Sequence, residues 1–149
     1  MAQTEFDVLR LENQLCFPLY ACAREVVRAY KPLLDEIGLT YTQYITMMLL
    51  WEKRETTSKY IGARLHLDSG TLTPVLKKLE EKGFLTRKRL PEDERNLLLT
   101  LTESGEELKK DASSIPARLA AGCIRLGKDE AETLYRLLYK MLNQFEKDA

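Results

Sequence analysis

Residues 85–101, LTRKRLPEDERNLLLTL, decide the fold of this 149-residue chain. A strand-like segment (85–90), a polar turn (91–96) and an apolar strand-like segment (97–101) follow one another, and this pattern predicts a β-hairpin. On both sides of the hairpin, apolar residues recur with the period of an α-helix. The sequence therefore predicts a mainly α (α+β) protein with one small β element.

Six helices are predicted around this hairpin. Their approximate bounds are 11–29, 41–53, 58–65, 69–82, 103–125 and 129–146. Thr57 and Thr102 are the expected N-caps of the third and fifth helices. Three helices followed by a hairpin are typical of a winged helix-turn-helix, in which residues 69–82 form the reading helix and residues 85–101 form the wing.

The reading helix has two distinct faces. Leu72, Val75, Leu76 and Leu79 form one apolar stripe, and small, hydroxyl and basic residues lie on the other side. Hydroxyl groups and lysines near a helix start suit insertion into the major groove of double-stranded DNA. The predicted DNA-binding residues are Ser69, Thr71, Thr73, Lys77 and Lys78 on the helix, and Arg87, Arg89, Asp93 and Arg95 on the wing.

The wing tip carries Asp93 and Arg95, two residues apart. We expect the Asp93 carboxylate to hold the Arg95 guanidinium in a fixed orientation, so that the arginine can enter a minor groove. The charge distribution agrees with a DNA contact here. Although 23 basic residues balance 23 acidic ones overall, residues 53–95 contain 11 basic and 7 acidic residues.

The terminal helices carry apolar stripes of their own. Leu11, Leu15, Leu19, Cys22 and Val26 form the first, with Cys22 read as a core residue; the second comprises Leu134, Leu138, Met141 and Phe145. A small winged-helix core cannot cover both stripes, so we expect a homodimer that presents two reading helices to a palindromic operator. The expected organisation is a single domain, 1–149, with residues 41–102 binding DNA and residues 1–40 and 103–149 forming dimerisation helices.

Several other classes of protein are disfavoured. The longest strongly apolar run, Met47 to Trp51, is too short to span a bilayer, and the N-terminus lacks the features of a signal peptide, so no membrane association and a cytoplasmic location are expected. Three dispersed cysteines and a single histidine favour neither a disulfide framework nor a metal site. We expect no cofactor and no catalytic residues.

Four segments together resemble a known family. They are LENQLCFPLY (11–20), YKPLLDEIGLTYTQY (30–44), LDSGTLTPVLKKL (67–79) and PEDER (91–95). The chain resembles the MarR superfamily and, within it, the organic-hydroperoxide-sensing repressors of the OhrR type. The wing motif marks the superfamily broadly, whereas the segment around Cys16 and the reading helix are more specific to the peroxide-sensing branch.

The resemblance implies a sensor. It assigns redox sensing to Cys16, whose thiolate would accept hydrogen bonds from Tyr30 and Tyr41 of a partner subunit, with Tyr20 nearby. An organic hydroperoxide would oxidise Cys16, and the oxidised repressor would leave its operator. In some members of the family a second cysteine resolves the sulfenic acid, in others a small cellular thiol does, and Cys123 is the candidate here.

The residues around Cys16 leave its local structure open. If the helix begins at Pro18, Cys16 lies just before a helix N-terminus, where the dipole favours a thiolate. If the helix runs through Pro18, a kink would free the carbonyl group of Gln14. Two alternative functions also remain: a MarR-type repressor relieved by a small aromatic or phenolic ligand, and a thiol peroxidase that uses Cys16.

Overall fold

The structure is a computed structural model that describes residues 7–147. The expected domain limits at residues 1 and 149 lie outside this range. The helices are α1 (Cys16–Asp35), α2 (Tyr41–Lys53), α3 (Ser58–Leu65), α4 (Ser69–Glu81), α5 (Glu103–Ala112), α6 (Ile115–Cys123) and α7 (Lys128–Lys147); the strands are β1 (Glu55–Thr57), β2 (Leu85–Leu90) and β3 (Asp93–Leu101). Two compact units make up the chain, one ending at Pro116 and the other beginning at Ala117.

Helices α2, α3 and α4 and the sheet form a winged helix-turn-helix, as predicted. The sheet is antiparallel with strand order β1-β3-β2. Leu85 of β2 pairs with Leu101 of β3, and Glu55 of β1 pairs with Thr100 on the other side of β3. The hairpin of β2 and β3 is the wing, and it directly follows α4, the reading helix.

The apolar stripe of α4 anchors the reading helix in the core. Leu72, Val75, Leu76 and Leu79 are all buried, which confirms the predicted stripe. They belong to a cluster that includes Met47 and Leu50 of α2, Ile61 of α3 and Leu99 of β3. Burying one such side chain contributes roughly 1.5–3 kcal/mol, so the stripe fixes which face of α4 points outward.

Side-chain caps set the helix starts within this unit. The Thr57 hydroxyl accepts a hydrogen bond from the Tyr60 amide at 3.2 Å, and the Thr102 hydroxyl accepts one from the Gly105 amide at 3.0 Å. Both predicted N-caps are therefore confirmed. Thr40 and Gln43 add a reciprocal capping box at the start of α2.

The predicted helix 103–125 is wrong as a single helix. It is interrupted at residues 113–114, between α5 and α6, because Pro116 has no amide hydrogen to donate to the carbonyl oxygen of Ala112 and so cannot continue the α5 ladder. The first helix was also placed too early. Leu11–Asn13 form a 3₁₀ turn, and the Asn13 side chain donates to the carbonyl oxygen of Asp7 at 2.7 Å instead of continuing a helix.

Most side chains of the apolar stripes of the terminal segments are solvent-exposed in the single chain, whereas Val26 and Met141 are half-buried. Leu15, at the N-cap of α1, is 75% exposed, and Phe145 of α7 is 66% exposed. Leu11, Leu19, Leu134 and Leu138 are also exposed. None of the helices in residues 7–147 combines the length and apolar character needed to cross a membrane.

Candidate functional site

The outward face of α4 presents the predicted reading residues to solvent. Ser69, Thr71, Thr73, Lys77 and Lys78 are all exposed. Asp68 caps the helix by accepting a hydrogen bond from the Thr71 amide at 2.7 Å, and this bond is the main reason that the pKa of Asp68 lies below its usual range. The Thr73 hydroxyl donates to the Ser69 carbonyl oxygen at 2.7 Å, and Lys78 pairs with Glu81 at 3.0 Å.

The start of α4 and the wing border one cleft together with α3. Ser69 and Thr73 line its α4 side, Arg95 lines its wing side, and Lys59 lines its α3 side. Hydroxyl groups and two cations around an open groove are suited to contacts with phosphate oxygens. Lys59 is not among the residues predicted from the sequence; the signal for it was its place at the second residue of a helix that Thr57 caps.

The expected Asp93–Arg95 ion pair takes a different form. The Asp93 carboxylate accepts a hydrogen bond from the backbone amide of Arg95 at 3.1 Å, rather than from its guanidinium. An Asp side chain two residues before an amide makes this short turn readily, because the backbone contact costs less side-chain entropy than an arginine contact. Asp93 thus shapes the backbone at the start of β3, where Arg95 lies, and the side chain of Arg95 is exposed.

Arg87 behaves differently from its neighbours on β2. Its guanidinium donates to Glu80 Oε1 through Nε at 3.1 Å and through a terminal nitrogen at 3.0 Å, and its backbone amide donates to Glu80 Oε2 at 2.9 Å. These hydrogen bonds hold the pKa of Glu80 below its usual range. The Arg87 side chain is only 24% exposed, whereas Lys88 and Arg89 are exposed.

Asn96 ties the other strand of the wing to α3. Its side-chain oxygen accepts hydrogen bonds from the Ser58 hydroxyl and the Lys59 amide, each at 3.1 Å. The Ser58 hydroxyl in turn accepts a hydrogen bond from the Leu97 amide at 2.9 Å. This contact cannot be read from the sequence, because Ser58 and Asn96 are 38 residues apart and neither belongs to a recognisable local motif.

Cys16 is the first residue of α1 and is exposed. Pro18 lies in the first turn, where its missing amide hydrogen costs no intrahelical bond, so α1 runs through Pro18 from its start at Cys16. Because it is exposed, the Cys16 thiol is accessible from solvent.

The candidate tyrosines form two separate groups. The rings of Tyr30 and Tyr41 lie 5.0 Å apart, and Tyr44 lies 5.7 Å from Tyr30. Burial raises the pKa of both Tyr30 and Tyr41, so both phenols are neutral and able to donate a hydrogen bond at pH 7. Tyr20 is exposed and accepts a hydrogen bond from Arg24 at 2.8 Å, which leaves its own hydroxyl hydrogen to donate elsewhere.

The other two cysteines are also exposed. Cys123 is the last residue of α6. Cys22 was predicted to be a core residue, but it is exposed in the single chain because it shares the uncovered stripe of α1. Among residues 7–147, no group of histidine, cysteine and carboxylate side chains could hold a metal ion.

Comparisons with known proteins agree with this fold. The family model of the SarA/Rot transcriptional regulators matches residues 28–112. An organic hydroperoxide resistance transcriptional regulator of Bacillus subtilis strain 168 is 49% identical over 143 residues, which cover 94% of this chain and 95% of the relative. The structure of MarR, at 22% identity and a TM-score of 0.73, covers 89% of this chain and shares its fold.

A second solved relative is AbfR of Staphylococcus epidermidis. Its reduced form bound to DNA has a TM-score of 0.75 and 34% identity, and covers 95% of this chain and 99% of its own. Structures of AbfR also exist in an overoxidised DNA-bound form and in a disulfide form. These relatives are transcriptional regulators rather than enzymes, and the chain belongs to the family of winged-helix transcriptional regulators that the SarA/Rot model describes and that includes the organic hydroperoxide resistance transcriptional regulator of Bacillus subtilis.

Proposed function

We propose that this protein is a transcriptional repressor that binds a palindromic operator as a homodimer, senses organic hydroperoxides through Cys16 and leaves the operator on oxidation. The observation that carries the proposal is the exposed Cys16 at the first position of α1. Residues 41–102 would bind DNA, the terminal helices would form the dimer, and the repressor would act in the cytoplasm, where its operator lies.

The DNA-binding part of the proposal rests on the outward face of α4 and on the wing. Its hydroxyl and lysine side chains are exposed on the side opposite the buried stripe. An end-first approach of α4 would place Ser69, Thr71 and Thr73 at base edges or phosphates, and Lys77 and Lys78 one turn later. Arg89 and Arg95 would extend the contact along the wing.

The geometry of α1 supports a dimer. Cys16 and Tyr30 lie on the same helix, 14 residues apart, so they are separated by about 21 Å along its axis. Tyr30 and Tyr41, which contact each other, therefore cannot reach the thiolate of their own chain. A second copy packed on the exposed stripe of α1 would bring its tyrosine pair to Cys16 and would cover the apolar side chains.

The proposed oxidation step requires only the Cys16 thiolate and the hydroperoxide. The Cys16 sulfur attacks the O–O bond, an S–O bond forms, and the alkoxide leaves and takes up a proton as the alcohol. Cys16 is then a sulfenic acid. A second thiol, from Cys123 of the partner or from a small cellular thiol, attacks this sulfur, forms the S–S bond and releases water.

Oxidation would release DNA by changing the dimer. Loss of the thiolate removes the acceptor of the tyrosine hydrogen bonds at two symmetric sites, which biases the dimer toward a spacing of reading helices that no longer matches the half-sites. A shift from 99:1 to 1:99 in occupancy needs about 5.5 kcal/mol of differential stability, shared between the two sites.

Operator binding with and without oxidant tests the proposal. Fluorescence anisotropy would be measured at fixed salt on DNA from the protein's own promoter region, with and without one equivalent of cumene hydroperoxide. We expect wild type and Cys22→Ser to bind and then release, and Cys16→Ser to bind without release. Release of Cys16→Ser by peroxide would contradict Cys16 as the sensor. Binding with no release of any variant would favour relief by a phenolic ligand instead.

A further inference from the structure

Each strand of the wing is fastened by one side chain to a helix of the helix-turn-helix. Arg87 of β2 holds Glu80 of α4, and Asn96 of β3 holds the N-terminus of α3 through Ser58. We propose that Arg87 and Asn96 are positioning residues that set the wing relative to the reading helix, and that Arg87 does not contact DNA. This inference rests on the proposed DNA binding and reassigns one residue within it.

The contact between Arg87 and Glu80 engages two of the three guanidinium nitrogens of Arg87. Two guanidinium nitrogens of Arg87 donate to one carboxylate oxygen, and the backbone amide of Arg87 donates to the other. Charge-assisted hydrogen bonds that converge on one carboxylate fix geometry as well as energy. At 24% side-chain exposure, Arg87 would have to give up this pair to reach DNA.

The contact at Asn96 fixes the strand that carries the wing tip. Asn96 follows Arg95 directly, and its side-chain oxygen accepts hydrogen bonds from both Ser58 and the Lys59 amide. A two-stranded hairpin is marginally stable on its own, so the direction in which its tip points depends on how its strands are held. The two contacts together fix the place of Arg95 relative to α4.

A neutral substitution at Glu80 distinguishes a positioning role of Arg87 from direct DNA contact, because the two roles predict opposite changes in operator affinity. If Arg87 touched a phosphate, Glu80→Gln would remove a nearby negative charge and would strengthen operator binding. If Arg87 positions the wing, Glu80→Gln weakens operator binding about tenfold, because the charge-assisted bonds are lost. Arg87→Lys, which keeps the charge but not the two-pronged contact, should then weaken binding to the same degree.

The loss of operator affinity caused by Glu80→Gln must also depend on Arg95 at the wing tip. In an Arg95→Ala background the wing tip contributes nothing to operator affinity, so adding Glu80→Gln should lower the affinity less than about twofold. A general loss of stability would instead lower the affinity by the same factor in both backgrounds. Binding would be measured by fluorescence anisotropy on the protein's own promoter DNA, at a temperature where every variant is folded by circular dichroism.

Any one of three results would overturn this inference and leave the proposed function standing. They are unchanged or tighter operator binding by Glu80→Gln, wild-type binding by Arg87→Lys, and an equal loss of affinity from Glu80→Gln with and without Arg95→Ala. A parallel Asn96→Ala variant should show the same dependence on Arg95. Absence of binding by the unaltered protein would instead overturn the proposed function, and the inference with it.

Discussion

The rings of Tyr30 and Tyr41 lie 5.0 Å apart and join α1 to the first residue of α2. Neither tyrosine is placed to serve the cysteine of its own chain, because Cys16 is at the far end of α1. In the proposed dimer, one subunit would offer this pair of hydroxyl groups to the thiolate of the other. Its protonation also links the stability of the fold to pH.

Stability should fall at alkaline pH through this tyrosine pair. Burial, as the largest cause, raises the pKa of Tyr30 and of Tyr41, so the folded protein holds each phenolic proton more tightly than the unfolded chain does. The resulting contribution is fully present below the unfolded pKa of about 10 and is lost as the pH rises through the folded pKa. We expect the urea midpoint to fall above pH 10, and to fall less in Tyr41→Phe than in wild type. An equal fall in both proteins would contradict this assignment.

Gly105 should tolerate no side chain. A Cβ atom there would lie 2.2 Å from the carbonyl oxygen of Phe84, which is backbone and cannot move aside cheaply. We expect Gly105→Ala to lower the free energy of unfolding by roughly 2–3 kcal/mol, in the range of overpacked cores. The measurement is a urea titration followed by circular dichroism.

Gly122 of α6 provides the matched control. A Cβ atom added to Gly122 would point into open space, so Gly122→Ala should stabilise the helix by up to about 1 kcal/mol. If the two variants had the same stability, the close approach at Gly105 would not matter to the fold.

The sequence predicts the parts of this fold that local patterns determine. The bounds of α2, α3 and β2 match the structure residue for residue, because their caps, turns and apolar periods lie within a few neighbouring residues. Strand β1 was missed, since Glu55–Thr57 are polar and become a strand only by pairing with β3, more than forty residues later. The candidate DNA-binding site shows the same limit. The exposed face of α4 can be predicted from the spacing of its apolar residues, whereas the pairing of Arg87 with Glu80 depends on how β2 packs on α4.

A peroxide-induced intersubunit disulfide is expected if Cys123 resolves the sulfenic acid of Cys16. Both thiols are exposed, so neither needs unfolding to react. Wild type treated with one equivalent of cumene hydroperoxide should give a dimer band on a non-reducing gel, and Cys22→Ser should give the same band. Cys16→Ser and Cys123→Ser should each abolish it. A wild-type protein that stays monomeric on the gel would exclude Cys123 and leave resolution to a small cellular thiol.

The wing-tip arginine should carry part of the salt dependence of operator binding. The Arg95 side chain is exposed, and Asp93 holds the start of β3 in place by accepting a hydrogen bond from the backbone amide of Arg95. If Arg95 contacts a phosphate or a narrow minor groove, Arg95→Ala should weaken binding about tenfold and reduce the slope of log affinity against log salt by about 1. Arg95→Lys should restore the slope more than the affinity, because lysine keeps the charge but loses the planar fork.

Lys109→Ala is the charge-matched control, since Lys109 is exposed on α5 away from the cleft. A slope for Arg95→Ala equal to that of Lys109→Ala would place the wing tip outside the DNA contact and leave binding to α4 alone.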